Sequence, residues 1–435
     1  MSQIAIGTIM LFASLAILMV LRFPIAYSLG ISAVITATYM NIPYLNLFQK
    51  MTTGLSSFTF IAVPFFIMMA QVMCDGQITK KLMRMCNIFV GQIRGGTAIV
   101  NILVSMLFGG ISGSSAADVS SIGAMLIPAM VDEGYDVDYS VAVTVTSSVE
   151  GVIIPPSQNM LFYAISTASG LSISTLLMCG YVPGVLLTLG LMIPAVIIAI
   201  RRHYPLGEKC SLKENLKIFV EALFGLGAIV VIIVGTSTGI CSATEAAAVA
   251  AVYALFVTVC IYHNMYPKLY ISGLLKCLPT LAMAMSIIAA SSAFSYVMNY
   301  LKVPQNMTVW LLSLTSNGTI LTLLLLLMML LLGCFMDMGI LILVTTPILY
   351  PIAVNGLGFN PYHFGVVLVL AYGIGLCTPP VGTSLFIGCT IAKQPVEKMI
   401  KGFLPFYLVM VILLLLLTFV PEITLCLPRM LGLIA

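Results

Sequence analysis

Two stretches limit what this chain can fold into more than any others: Gly109–Pro128 (GGISGSSAADVSSIGAMLIP) and Gly151–Ser157 (GVIIPPS). Both are written in glycine, serine and proline, the first with an aspartate, and both lie in apolar surroundings. The chain is 61% hydrophobic and 7% charged over 435 residues, where a soluble domain carries roughly 25% charge. It is therefore a polytopic membrane protein. Backbone freed from helical bonding inside a bilayer must be satisfied by protein, water or an ion. A pair of apolar segments interrupted by Gly and Pro points to the binding site of a secondary transporter.

Apolar stretches of about 20 residues are spanning candidates. They occur near 4–22, 24–42, 57–75, 137–165, 172–200, 217–236, 241–263, 273–300, 361–392 and 402–428. Regions 96–130 and 316–354 are too long for one crossing and are broken near the centre, so each reads as a re-entrant hairpin. Ile78–Arg94, with Lys80, Lys81, Arg84 and Arg94, reads as an amphipathic helix on the interface. Ile4–Val20 follows no basic segment and precedes no small-residue cleavage site, and is expected to be a retained first helix.

The basic residues orient the chain. With the 22–24 turn in the cytoplasm and both hairpins re-entrant, only Lys50, Lys302 and Arg429 of the 18 Lys and Arg fall outside. A full crossing by either hairpin swaps the later loops and erodes this bias. Both termini are then periplasmic, and the hairpins open from opposite faces. That is an inverted repeat, and a shift of 224 residues reveals it. Gly109 meets Gly333, Gly134 meets Gly358, Asp136 meets Asn360, Gly151 meets Gly375, and Pro155–Pro156 meets Pro379–Pro380.

The expected architecture is all-α, with about ten or eleven spans, two hairpins and two broken helices. Residues 1–56 are expected as N-terminal scaffold helices and 57–170 as the first transport repeat. Residues 171–272 are expected as scaffold helices with a cytoplasmic linker at 201–217, 273–395 as the second repeat, and 396–435 as a C-terminal scaffold helix.

Each Pro-Pro pair opens its helix and strands carbonyls one turn earlier. Such carbonyls, with hydroxyls of Ser112, Ser114 and Ser115 in one half and Thr378 in the other, form an oxygen set that suits Na⁺. Alternatively the serines cap helices and the prolines only kink them. Helix starts at the hairpin tips favour an anion between the two hairpins. Ser114, Asp118, Glu150, Ser157, Asp337, Pro379 and Thr383 are the candidates for lining that cavity. Asp118 and Asp337 either cap helix starts or support a cation. Glu150 either binds a proton or cation or faces a water-filled cavity, and Glu245 serves a helix start. The scattered cysteines and three histidines form no metal pattern, and no base faces the intramembrane serines, so an enzyme is not expected.

The chain resembles the large membrane subunit of tripartite ATP-independent periplasmic (TRAP) transporters. The resemblance rests on AVPFFIMMAQVM (62–73), GQIRGGTAIVN (91–101), GGISGSSAADVSSIGAMLIPAM (109–130) and GYDVDYSVAVT (134–144). IIPPSQNMLFYA (153–164), TEAAAVAAVYAL (244–255), DMGILILVTTPILYPI (337–352) and TPPVGTSLFIG (378–388) extend it to nearly the full length. It implies an elevator-type, Na⁺-coupled importer of organic acids in a bacterial inner membrane. The implied partners are a small four-helix membrane subunit, expected as a separate polypeptide, and a periplasmic binding protein. No cofactor besides Na⁺ and no nucleic acid are implied. It places one sodium site at Ser112, Ser115, Gly151, Ile154 and Pro156, and the other at Gly333, Gly375, Thr378 and Val381. Gln71, Glu150, Gln158 and Asn159 depart from the family pattern near the expected cavity and bear on the choice of acid. Two other readings are a stand-alone Na⁺/dicarboxylate or citrate-type symporter and a non-transporting structural subunit.

Overall fold

Proline, glycine and polar caps set the helix limits in the computed structural model. It describes residues 3–21, 23–56, 61–90, 93–167, 169–205, 212–237, 240–303, 305–306, 317–379 and 382–434. Helix α1 (Gln3–Val20) is followed by α2 (Ile25–Tyr39) and α3 (Tyr44–Leu55), the last two starting directly behind Pro24 and Pro43. Then come α4 (Ala62–Asp75) and α5 (Ile78–Val90), which turn by 71° across their junction. Lys81 anchors α5 through Glu221 at 2.6 Å, with its ammonium 4.4 Å from the centre of the Tyr262 ring.

The first broken region begins with α6 (Gly96–Ser112), which stops at Gly113 with φ +62°, a conformation that glycine adopts without strain. The chain returns through α7 (Ser115–Asp118), a π-helical turn at Val119–Gly123 and α8 (Ala124–Asp132). Next are α9 (Val137–Ser147), α10 (Glu150–Ile153) and α11 (Gln158–Ser166), bent by 47° at the Pro-Pro break. The centre of the chain is α12 (Ile173–Arg201), α13 (Leu212–Ser237), α14 (Ala243–Phe256) and α15 (Pro267–Tyr300). Ser242 and Glu245 form a reciprocal capping box at α14, the structural role expected of Glu245.

The second half repeats the plan. α16 (Gly318–Gly333) and α17 (Met338–Pro351) flank a break, and α18 (Pro361–Leu376) and α19 (Thr383–Ile391) flank the second Pro-Pro. α20 (Val396–Phe419) and α21 (Pro421–Met430) close the chain.

Among the described residues, seven helices are long and apolar enough to cross a membrane alone, or up to nine with each bent pair counted as one. The count is below ten because breaks shorten the individual helices. The expected span 402–428 instead falls on a crossing helix that ends at Phe419, since Val420 leaves helical geometry (φ −123°, ψ 77°) just before Pro421. α3 is a helix the hydropathy reading did not anticipate, its one buried residue being Leu47.

Packing groups the helices. α1, α2 and α3 share a small core with the C-terminal half of α15 through Leu11, Leu29, Leu47, Phe294 and Val297. α4 lies on α14 and α15, and α13 lies on α5 and α14. α12 packs on α6, α9 and α18, and α20 packs on α9 and α18. The matched glycines of the repeat explain how close these helices come. A Cβ on Gly109 would stand 2.2 Å from the Cα of Gly151, and one on Gly375 would stand 2.5 Å from the Cα of Gly333. In both halves the first hairpin arm therefore crosses the broken helix backbone against backbone.

Candidate functional site

At the first break, Pro155 and Pro156 carry no N–H for the carbonyls of Gly151 and Val152. Ser157 repairs one of these losses, its hydroxyl donating to Val152 O at 2.5 Å while accepting from Met160 N at 3.4 Å to cap α11. The Glu150 carbonyl accepts from Ile154 N at 2.9 Å, which leaves the Gly151 carbonyl as the one the prolines strand. The hairpin tip sits directly on this break. Asn159 Nδ2 donates to Gly113 O at 2.8 Å, and a Cβ on Gly113 would lie 2.7 Å from Gln158 N. Ser114 caps α7, accepting from Ala117 N at 3.3 Å. The Ser115 hydroxyl lies 2.5 Å from that of Ser148 and 2.7 Å from that of Ser384. All three are buried, and so are Gly151, Ile154 and Pro156.

At the second break, Thr378 Oγ1 donates to Ile374 O at 2.7 Å and Thr378 N to Gly375 O at 2.9 Å. Gly382, at φ +36°, donates to Cys334 O at 2.9 Å and so ties the start of α19 to the end of α16 beside Gly333. Asp337 is the N-cap of α17, its Oδ1 accepting from Gly339 N at 3.0 Å. Val381 lies outside the described residues, as does the side chain of Ser112.

Between the two tips and α15 lies a cleft of about 130 Å³. Ser114, Ser115, Gln158, Asn159, Asp337 and Thr280 give its wall polarity, with Phe162, Met283 and Ile287 on the apolar side and no lysine or arginine. Of the residues expected to line a cavity, Ser114 and Asp337 border this cleft. Asp118, Glu150 and Ser157 are fully buried behind it, Thr383 Oγ1 is buried without a partner, and Pro379 stays at the second break. Gln158 and Asn159 reach the cleft, whereas Gln71 hydrogen-bonds Asp75 on α4 at 2.9 Å. Ser148, Ser384 and Thr280 were not singled out from sequence. Ser148 and Ser384 are isolated hydroxyls that acquire meaning only through Ser115.

The site thus offers hydroxyl and carbonyl oxygens suited to a hard cation, beside a cleft with amide and hydroxyl groups. Asp337 already takes the Gly339 N–H at the start of α17. A separate cluster fastens the far end of α9. Arg202 reaches Asp136 at 2.7 Å and Asp138 at 3.0 Å, and Tyr204 donates to Asp136 at 2.8 Å. The Tyr204 phenol and the Arg202 guanidinium hold the Asp136 carboxyl below the usual carboxylate range.

Residues 12–423 match the family model described as the tripartite ATP-independent periplasmic transporter, DctM component. The protein YgiK of Salmonella typhimurium is 36% identical over 97% of both chains. The C4-dicarboxylate TRAP transporter large permease DctM of Rhodobacter capsulatus is 34% identical over 98% of this chain and 100% of its own. In fold, the YdaH transporter of Alcanivorax borkumensis matches with a TM-score of 0.64 at 13% identity, covering 89% of each chain. The chain therefore belongs to the DctM family of TRAP transporter large permeases, multi-pass transport subunits of the bacterial inner membrane.

Proposed function

We propose that this subunit couples Na⁺ entry to uptake of an organic acid: a C4-dicarboxylate, a sugar acid or a sialic-acid-like anion. A periplasmic binding protein delivers the acid, and a small four-helix subunit completes the membrane complex. The observation that carries the reading is the buried Ser115–Ser148–Ser384 cluster beside the broken helix, which reaches the cleft wall through Ser115. Ser115, Gly151, Ile154 and Pro156, with Ser112, serve one ion. Gly333, Gly375, Thr378 and Val381 serve the other. The acid sits in the cleft among Ser114, Gln158 and Thr280.

In this reading the subunit works by alternating access. The moving body comprises the hairpins, the broken helices, α12 and α20, and it slides against α1–α5 and α13–α15. The hairpins open from opposite faces, and both termini are periplasmic. The test is flux into proteoliposomes holding the membrane complex with its binding protein. Uptake is expected only with an inward Na⁺ gradient. Uptake indifferent to Na⁺ overturns the coupling, and uptake by this chain alone favours a stand-alone symporter.

A further inference from the structure

A second cavity, of about 520 Å³, adjoins the cleft. Its walls are α3 and α15 on one side, and the end of α11 with Pro347 of α17 on the other. Leu343 lines both cavities, and α15 runs from one to the other, with Ile287 on the cleft and Ile288 on the larger cavity. From Met283 in the cleft to Ser295 in the larger cavity the helix rises about 18 Å.

The larger cavity is lined by one charged residue, Lys50, and no carboxylate. Lys50 Nζ lies 6.0 Å from the centre of the Tyr296 ring, and among the described residues no carboxylate pairs with it. Asn46 Nδ2 donates to the Tyr296 hydroxyl at 3.2 Å, and Asn299 Nδ2 donates to the Ser295 hydroxyl at 3.5 Å. Each of these hydroxyls is thus an acceptor already, and among the described residues neither gives its own proton to a partner. The other hydroxyls are committed: Thr53, Ser166, Ser291 and Ser292 donate to carbonyls of their own helices. The cavity therefore offers an ammonium and two hydroxyl protons that lack acceptors.

The cleft has the opposite balance, with the Asp337 carboxylate and no lysine or arginine. An organic acid held there meets no formal positive charge, and the nearest cavity to supply one is that of Lys50. Neither packing nor orientation accounts for this lysine. It is exposed, and on the topology proposed above it is one of three basic residues on the outer face, against the usual charge bias.

We propose that this cavity is an outer waiting site for the transported acid, where Lys50 and the Ser295 and Tyr296 hydroxyls hold a carboxylate before the cleft receives it. The ligand follows from the organic-acid reading above, and the face from the topology stated with it. Placing the charge at the mouth draws an anion out of water and leaves the cleft, which has to release it, free of a strong ion pair.

The test uses the membrane complex in proteoliposomes, with Asn299→Cys as a reporter thiol on the α15 wall of the cavity. The same proteins without that cysteine correct for native thiols. Modification from outside by an anionic methanethiosulfonate is expected to outpace that by a cationic one. The ratio is expected to fall about fivefold in Lys50→Gln and to survive in Lys50→Arg. Succinate, as the carboxylate probe, is expected to slow the reaction when Lys50 is present and not in Lys50→Gln. In uptake with the binding protein, Lys50→Gln is expected to raise the KM for the acid several-fold at an unchanged maximal rate. Equal reagent ratios with and without Lys50 overturn the proposal. So does a ratio that depends on Lys50 without any protection by succinate, which marks a surface charge and no site. So does a Lys50→Gln defect in uptake that more binding protein restores while the thiol ratio stays fixed, since Lys50 then docks the partner. If uptake ignores Na⁺ while the ratio and the protection still depend on Lys50, the coupling reading fails and the outer site stands.

Discussion

The hydroxyl of Ser115, at the tip of the first hairpin, lies 2.7 Å from that of Ser384, at the start of α19 in the second half. The two are 269 residues apart. They are not symmetry mates, because the repeat sends Ser115 to Gly339 and Ser384 to Met160. The repeats therefore meet at one buried hydroxyl cluster rather than at two copies of it.

On the proposed Na⁺-coupled reading, removing any member of that cluster is expected to weaken cation binding. Ser115→Ala, Ser148→Ala and Ser384→Ala are each expected to raise the Na⁺ concentration for half-maximal uptake about tenfold, the equivalent of one hydrogen-bonding oxygen. Ser120→Ala, at an exposed position that donates to Ala117 O, leaves it unchanged. Na⁺ titrations of proteoliposome uptake distinguish these outcomes.

Alanine at the glycine crossings meets backbone that has no room to move aside. Gly109→Ala and Gly375→Ala are expected to destabilise the complex by about 1–3 kcal/mol and to abolish uptake. Gly318→Ala, at the start of α16 with nothing within 4 Å of the added carbon, is the neutral control. Thermal unfolding in detergent, paired with uptake, checks both halves of the statement.

Asn159 holds the first hairpin tip shut against the break. Asn159→Ala and Asn159→Asp both lose the donor to Gly113 O, and each is expected to cost about 1 kcal/mol with a several-fold drop in uptake. Gln158→Leu keeps the tip in place but strips an amide from the cleft wall. It is expected to raise the KM for the transported acid and to leave the Na⁺ dependence unaltered.

The Arg202 cluster is insensitive to ordinary pH. Its contribution from Asp136 is complete above the usual carboxylate value of about 3.9, and it disappears only as pH falls through the lower value in the folded protein. Arg202→Gln is therefore expected to destabilise by about 1 kcal/mol, because these side chains are partly exposed. The difference from wild type is expected to be equal at pH 5 and pH 8. Melting curves at the two pH values measure it.

What could be read from the residues alone was what glycine and proline dictate, since these act on the backbone wherever the chain goes. Gly109 with Gly333, Gly151 with Gly375 and the two Pro-Pro pairs marked where the helices break in both halves. Partners that depend on three-dimensional approach were not visible. Ser384 has no local neighbour to mark it, and nothing in sequence says that Asn159 reaches back to Gly113. Hydropathy placed Asp118 and Glu150 near the site but not behind its wall, because it measures depth along the chain and not direction across it. The same limitation joined α20 to α21 across the break at Val420.

The paired glycines have a mechanical consequence. Two helices that touch through bare backbone cannot roll or ratchet on intervening side chains, because there are none. Gly109 on Gly151 and Gly333 on Gly375 thus act as welds. On the alternating-access reading, each broken helix and the arm that crosses it are therefore expected to move as one frame.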